Sequence, residues 1–303
     1  MRRDGASPCV TVVVLSYNRP ALLEAALQSI QVQTHSNRDV LVIDNKSGSS
    51  PQIQNIVVAF PGVALISNDR NRGFTGGMNQ GIAAARGEYI YLTEDDIELA
   101  PDCLSELVEY LERNPDVVLA GPVMWNRQVK SVRCAGGSFT LGPAYDLKIV
   151  GAGESALPAS QPYRTKFLPG AMIAARTREL REMGGFRSDF FMYVEDVELC
   201  TRVLKRGDGI AIVPSAKIFH HEPPASPETP ELMFHRQKNL AALYLLHAPW
   251  AVLPGFLLRY AGMEGARRLF GRAHFGPWAK AWGWVLLRSP RLLAQRFGII
   301  AGV

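Results

Sequence analysis

The chain has 303 residues, 47% apolar and 20% charged, with 27 glycines and 20 prolines. This is globular composition, with length for one large α/β domain and a smaller appendage; it excludes a disordered, collagenous or coiled-coil chain. The net charge of +5 is uneven: residues 235–303 hold ten Lys/Arg against one acid, Glu264, a net +9, so the first 234 residues carry −4.

Residues 11–15 are a β-branched apolar run, a first strand, broken by Ser16-Tyr17-Asn18-Arg19-Pro20. Residues 21–30 read as a helix with Leu22, Leu23, Ala26, Leu27 and Ile30 inward. A second strand at 40–43 stops at Asp44-Asn45 and a Ser/Gly loop, and a third follows at 63–66. Asn71-Arg72-Gly73-Phe74-Thr75-Gly76-Gly77 enters a helix to about Arg86, with Gly87 expected as its C-cap. Residues 89–92 form a fourth strand, ending at Glu94-Asp95-Asp96. Alternating strands and helices predict a mostly parallel sheet covered on both faces, with ligands bound beyond the carboxyl ends of the strands. Each polar cluster just named falls there.

A helix is expected from about Pro101 to Arg113, a buried strand at 117–120, and irregular Gly-rich structure at 125–166. The chain returns to the sheet at 167–175 around Gly170. A helix at 195–205 allows Glu198 to pair with Arg202, and Gly207 ends it. A last strand at 210–213 precedes a loop holding His220-His221-Glu222. Residues 240–258 contain no charged side chain and are long enough for a membrane span, although Pro249 and Pro254 oppose a straight one. Beyond them, Lys and Arg interleave with Trp278, Trp282 and Trp284, the chemistry of helices lying in a membrane interface. The alternatives are packing on the body or a second subunit, and true insertion. The chain is thus divided at 1–234, a catalytic-looking body, and 235–303, a basic helical extension suited to anionic lipid before nucleic acid. Four cysteines without CxxC spacing argue against a disulfide scaffold or cysteine zinc site. No signal-like apolar run follows Met1-Arg2-Arg3-Asp4, so a reducing cytosol is the expected compartment.

Three acidic clusters end strands or open helices: Asp44, Glu94-Asp95-Asp96 and Glu195-Asp196. Consecutive acids repel unless a cation or hydrogen-bond donors compensate. Glu94 and Asp96 with His220 would offer hard oxygens and an imidazole to Mg²⁺ or Mn²⁺; the plain alternative is a solvated loop capping the helix at Pro101. Glu195-Asp196 has an equally plain reading as first-turn acids favourable to the helix dipole. The glycines after Arg72 match neither GxGxxG nor GxxxxGK[ST]. Motif by motif, these residues describe an α/β enzyme for an anionic ligand and leave the reaction open.

Taken in order, the clusters resemble the inverting family 2, GT-A fold glycosyltransferases, a group that includes bacterial rhamnosyltransferases of cell-surface polysaccharide synthesis. The resemblance covers roughly residues 10–225. It rests on Val12-Val13-Val14-Leu15-Ser16-Tyr17-Asn18-Arg19, Val42-Ile43-Asp44-Asn45, the 71–81 stretch and Glu94-Asp95-Asp96 at the DxD place. Leu168-Pro169-Gly170-Ala171, Gly184-Gly185-Phe186, residues 191–202 and His220 continue it. His235-Arg236-Gln237-Lys238-Asn239 resembles the start of the subgroup's helical tail. Two departures stand out: Glu94 replaces the first acid of DxD, and Arg187 follows Gly185-Phe186 where Asp is usual. Arg187 is expected to meet an anionic part of a substrate. A QxxRW motif is missing, which implies a single transfer per encounter.

The resemblance implies an α/β GT-A fold with a C-terminal helical extension, and a role for each matching residue. Ser16, Tyr17, Asn18 and Asp44 would hold base and ribose, with Arg72, Gly73, Asp95 and Gly170 completing the donor site. Asp96, Glu94 and His220 would bind Mn²⁺ or Mg²⁺ against the diphosphate. Asp196 would be the general base and Glu195 would orient the acceptor. The implied donor is a nucleoside-diphosphate sugar, dTDP-L-rhamnose or a UDP-sugar, and the acceptor a glycan or polyprenyl-diphosphate-linked hydroxyl. The expected setting is the inner face of the cell membrane, with a homodimer through the C-terminal helices as an option. The alternative function is a non-catalytic or catalytically weakened sugar-nucleotide-binding or assembly protein of a surface-polysaccharide complex.

Overall fold

The computed structural model describes residues 7–157, 159–221, 229–271 and 275–299; Glu222, Arg272 and the first six residues lie outside them. β1 (Val10–Ser16) is buried along its whole length, as its apolar run requires of a strand covered on both faces. α1 (Pro20–Gln31) starts on a proline suited to a first turn and buries Leu23, Ala26, Leu27 and Ile30. β2 (Arg38–Asp44), α2 (Ser50–Ala59), β3 (Val63–Ser67), α3 (Gly73–Ala84) and β4 (Tyr89–Glu94) continue the alternation. β5 (Ile97–Leu99), α4 (Cys103–Arg113), β6 (Val117–Asn126) and β7 (Val132–Cys134) follow. β8 (Gly137–Leu141) and β9 (Tyr145–Ile149) form a separate hairpin. Next come β10 (Tyr163–Arg164), a 3₁₀ turn (Gly170–Met172), β11 (Ile173–Arg176), α5 (Thr177–Glu182), α6 (Glu195–Lys205) and β12 (Gly209–His220).

The main sheet runs β10-β12-β6-β11-β4-β1-β2-β3. β1, β2, β3 and β4 are parallel, as are β6 and β12; β11 enters antiparallel between β4 and β6. The mostly parallel α/β sheet with C-terminal helices is therefore present. No disulfide joins the four cysteines.

Several local expectations differ from the structure. The Ser/Gly loop after Asp44 runs into α2, a helix that the apolar pattern does not mark, because it buries only Ile53 and Val57 and shows too narrow an apolar face. Gly87 does not cap α3, whose cap is Ala85. A Cβ at Gly87 would lie 2.5 Å from the Thr11 amide nitrogen and 2.8 Å from the Cys9 carbonyl oxygen, so it serves close backbone approach. β12 is longer than expected and pairs with β5, which carries His220 to Ile97 beside the acidic turn. α6 and its Glu198–Arg202 pair, at 2.9 Å, match expectation.

α7 (Pro230–His247) is capped by Thr229, whose hydroxyl accepts from the Leu232 amide at 3.2 Å. α8 (Leu253–Leu257), a π turn (Leu258–Met263), α9 (Glu264–Gly271) and α10 (Phe275–Arg296) follow. Most of the 240–258 stretch faces protein: Leu240, Leu243, Tyr244, Leu246, Leu253 and Phe256 are buried. The Tyr244 hydroxyl donates to the Gly142 carbonyl at 2.8 Å, tying α7 to the β8–β9 hairpin. Arg296 donates to the carbonyls of Leu245 and Ala248, fastening α10 onto the end of α7. Among the described residues no helix is long and apolar enough to cross a membrane.

Candidate active site

β1 and β4 are neighbours with Leu15 opposite Glu94, so the turn after β1 and the acidic turn after β4 lie side by side. The Tyr17 amide donates to Asp95 Oδ2 at 3.1 Å, and the Asp95 amide donates to the Leu15 carbonyl at 3.1 Å. The Arg19 guanidinium spans the two carboxylates, 2.7 Å from Asp95 and also paired with Asp96. Ser16 is fully buried at this turn. Asn18 takes a left-handed φ of 60° and joins the next loop, its amide donating to Ser47 Oγ at 2.8 Å and its Oδ1 accepting from the Gly48 amide at 2.7 Å. Asp44, also fully buried, accepts from the Ser47 amide at 2.9 Å and from the Ser50 hydroxyl. Ser16, Tyr17, Asn18, Asp44 and Asp95 are thus one hydrogen-bonded unit at the carboxyl ends of three parallel strands. The Tyr17 ring stands exposed at its edge.

Asn45, which sequence reasoning passed over, extends the unit to the third loop. Its Nδ2 donates to Asn71 Oδ1 and the Gly73 carbonyl, each at 3.0 Å, and its Oδ1 accepts from the Arg72 amide at 2.9 Å. Its signal was its place after Asp44, in the motif that carried the resemblance. Arg72 is exposed and pairs with Asp69 at 3.4 Å. Gly73 has φ +71°, and a Cβ there would lie 2.5 Å from the Phe191 carbonyl oxygen. Arg19 is the second residue missed, since its role depends on a turn 75 or more residues away.

His220 Nε2 lies 3.6 Å from Asp96 Oδ2, and Glu94 shares a cavity of about 390 Å³ with His220, Pro169 and Ala171. Removal from water, then the charge of Asp96, pushes Glu94 up to about 8; burial lifts Asp95 to about 6 against the pull of Arg19. Asp96 Oδ1 is buried without a hydrogen-bond partner. Among the described residues no three metal-ligating side chains converge on one point. The Asp96–His220 pair, with Glu94 close by and an acceptor oxygen unused, has the donor chemistry a hard divalent cation takes.

Glu195 and Asp196 open α6 on the other side. The turn before them holds three non-glycine residues in the left-handed region, Phe191 (φ 65°), Tyr193 (67°) and Val194 (69°). Such residues cost about 1–3 kcal/mol each and persist where the surroundings over-determine them. The Thr75 amide donates to the Phe191 carbonyl at 3.0 Å from one side. The Val197 amide donates to Asp196 Oδ1 at 2.7 Å, and the Gly170 amide also favours the charged form. Burial still lifts Asp196 to about 6, and it carries Glu195, crowded by Asp196, well above the carboxylate range. Both carboxyls are thus raised by burial, and of the two it is Asp196 that receives backbone amide hydrogen bonds favouring its charged form. Asp196 also lines an apolar cavity of about 440 Å³ with Tyr145, Tyr193, Arg236, Leu240 and Tyr260.

Arg187 does not face a substrate. It is 4% exposed and forms a bidentate pair with Asp189 at 3.0 and 2.8 Å, with Gln295 as a further partner at 3.0 Å. A buried guanidinium needs its planar donors matched, and Asp189, two residues on, does so.

Two family models match the chain: Glycosyl transferase family group 2 over residues 89–289, more than half of it, and Glycosyl transferase family 2 over residues 11–137. The N-acetylglucosaminyl-diphospho-decaprenol L-rhamnosyltransferase of Mycobacterium tuberculosis is 27% identical over 265 residues, covering 79% of this chain and 85% of that protein. Succinoglycan biosynthesis protein ExoO of Rhizobium meliloti is 29% identical over 219 residues, covering 71% and 61%. Among solved structures, GalNAc-T7 with UDP, GalNAc and Mn²⁺ superposes with a TM-score of 0.68 at 14% identity, covering 93% of this chain and 58% of that one. The mannosyltransferase PcManGT from Pyrobaculum calidifontis with GDP-Man and Mn²⁺ gives 0.58 at 19%, covering 97% and 81%. At those identities the two structures speak to fold. The chain belongs to glycosyltransferase family 2 and is a transferase enzyme on the GT-A fold.

Proposed function

We propose that the protein moves a sugar, with inversion and one residue at a time, from a nucleoside diphosphate to the hydroxyl of a lipid-linked glycan. The observation that carries this reading is the placement of Asp196 at the start of α6: a buried carboxylate that accepts from the Val197 amide and lines an apolar cavity of about 440 Å³. Asp196 takes the proton of the acceptor hydroxyl as that oxygen bonds to the anomeric carbon. The bond from that carbon to the diphosphate oxygen breaks, and its electron pair leaves with the nucleoside diphosphate. No enzyme nucleophile is needed, and a single displacement inverts the centre. Glu195 orients the acceptor.

The base and ribose sit against Ser16, Tyr17, Asn18 and Asp44, with Arg72, Gly73, Asp95 and Gly170 around the diphosphate and sugar. Mg²⁺ or Mn²⁺, held by Asp96 and His220 with Glu94 at hand, would neutralise charge on the departing diphosphate. Arg19 balances Asp95 and Asp96. The rhamnosyltransferase likeness supports dTDP-L-rhamnose as donor and a polyprenyl-diphosphate-linked sugar as acceptor. The tyrosines of the 440 Å³ cavity suit the apolar face of a sugar ring, and Arg236 suits a diphosphate.

The helical extension completes the reading as a membrane-facing element of the catalytic body. Leu257, Leu258, Leu286 and Leu287 are exposed beside the exposed Arg259, Arg288 and Arg291. Apolar side chains flanked by cations fit an anionic lipid surface, on which such an acceptor would be presented. The test is transfer from dTDP-L-rhamnose and a panel of UDP-sugars to a polyprenyl-diphosphate-linked N-acetylglucosamine with Mn²⁺, reading product and anomeric configuration by NMR. An inverted rhamnosyl product is expected; a retained configuration, or no transfer from any donor, overturns the reading.

A further inference from the structure

The strained turn before Asp196 is held on its second side by two consecutive side chains of α7. Lys238 and Asn239 are 3% and 0% exposed. Lys238 Nζ donates to the Asp189 carbonyl at 2.6 Å, to the Phe190 carbonyl at 3.4 Å and to Asn239 Oδ1 at 2.6 Å. Asn239 Nδ2 shares its hydrogens among the carbonyls of Phe190, Met192 and Tyr193 at 2.7, 2.8 and 2.7 Å. Every carbonyl from 189 to 193 is thereby engaged, since that of Phe191 accepts from Thr75. The Phe191 ring stacks on His235, one turn earlier on α7, with centroids 4.5 Å apart.

A buried ammonium directed at peptide carbonyls is costly to keep, and burial pushes Lys238 down to about 8. The Trp284 ring 4.6 Å from Nζ offsets part of that cost. The arrangement answers a specific need: three non-glycine residues in left-handed backbone, immediately before the first turn of α6, would otherwise relax and carry Asp196 away from the Gly170 amide. Arg236 and Gln237, the two residues before the pair, line the cavity that Asp196 and Tyr193 also line. One turn of α7 therefore forms the wall of the cavity and fixes the carboxylate at its edge.

We propose that Lys238 and Asn239 are positioning residues of the transfer reaction, locking the 190–194 turn so that Asp196 points at the acceptor cavity. The proposal rests on Asp196 being the base, and it concerns residues that touch neither donor nor acceptor. Because the base and ribose contacts lie on the turns after β1 and β2, loss of the lock acts on turnover more than on binding of the nucleotide.

The test uses the full chain carrying Lys238→Met or Asn239→Ala. In both, kcat per nucleotide-binding site falls about tenfold or more, while the calorimetric Kd for the donor nucleotide with Mn²⁺ stays within about twofold. Hydrogen exchange speeds up at residues 190–198 and not in β1, β2 or β4. Adding Val194→Gly to Asn239→Ala restores part of the lost kcat, because glycine holds a φ near +69° without strain. Asn239→Ser, which keeps one donor, is read the same way should Asn239→Ala give no folded protein. Unchanged kcat per binding site, or kcat and donor affinity falling together with exchange rising throughout the fold, overturns the proposal. Asp196→Asn measured alongside separates the two claims: wild-type turnover there refutes the base, whereas exchange and glycine rescue still report on the lock.

Discussion

The two acidic clusters of the site are built by opposite means. Glu94, Asp95 and Asp96 follow from neighbouring parallel strands, and their charge is balanced by Arg19 from the adjoining turn. Asp196 is balanced by backbone amides at the head of α6, behind a turn whose strained residues are held from α3 and α7. A cluster neutralised by a side-chain guanidinium suits the exchange of one cation for another. A cluster neutralised by fixed dipoles suits a proton that must arrive at one place, since preorganised groups cost nothing to rearrange during the reaction.

Substitutions can break this contrast in order of effect. Asp196→Asn keeps the shape and removes the proton acceptor, so turnover falls by about 10²–10⁴ while donor affinity is unchanged. Asp96→Ala acts on the other cluster: Mn²⁺-dependent binding of the nucleoside diphosphate, read by calorimetry, weakens by about 10²-fold, and turnover falls with it. Arg19→Met leaves Asp95 and Asp96 without their partner. Because Arg19 is one-third exposed, the expected loss in the metal-free protein is about 1–3 kcal/mol, below that of a fully buried pair. Added Mn²⁺ recovers part of the melting temperature, and no recovery would contradict exchange of cations at this cluster. The smallest effect on chemistry comes from the extension. Leu286→Asp with Leu287→Asp leaves turnover on a water-soluble acceptor within about twofold, yet reduces co-sedimentation with anionic vesicles at low salt.

Sequence patterning was informative wherever local order decides structure. β1, α1 and α6 are legible because their apolar positions match one period, and the acidic clusters because polar runs after apolar strands lie at the sheet's carboxyl edge. α2 was not, since two buried residues make a weak face. The apolar run at 240–258 has the same composition whether lipid or protein covers it, and only the fold reveals that α7 lies against the hairpin and α10. Arg187 shows the same limit from the opposite direction: a cation beside a family motif pointed to a substrate, and the bidentate Asp189 two residues later absorbs it. Arg19, Asn45, Lys238 and Asn239 all fall within motifs that carried the resemblance, yet none was singled out, because each acts on backbone or carboxylates distant in the chain.

The division of labour at α6 is tested most directly by the pH dependence of single-turnover transfer in the wild type, Glu195→Gln and Asp196→Asn. A raised Asp196 pKa means that protonation disables the base on the acid side, so the wild-type rate should rise with pH through about 6 and level off above it. Glu195→Gln should keep that limb at a reduced plateau, and Asp196→Asn should lose both the limb and most of the rate. An acid limb that survives in Asp196→Asn and disappears in Glu195→Gln would contradict the account and transfer the base to Glu195.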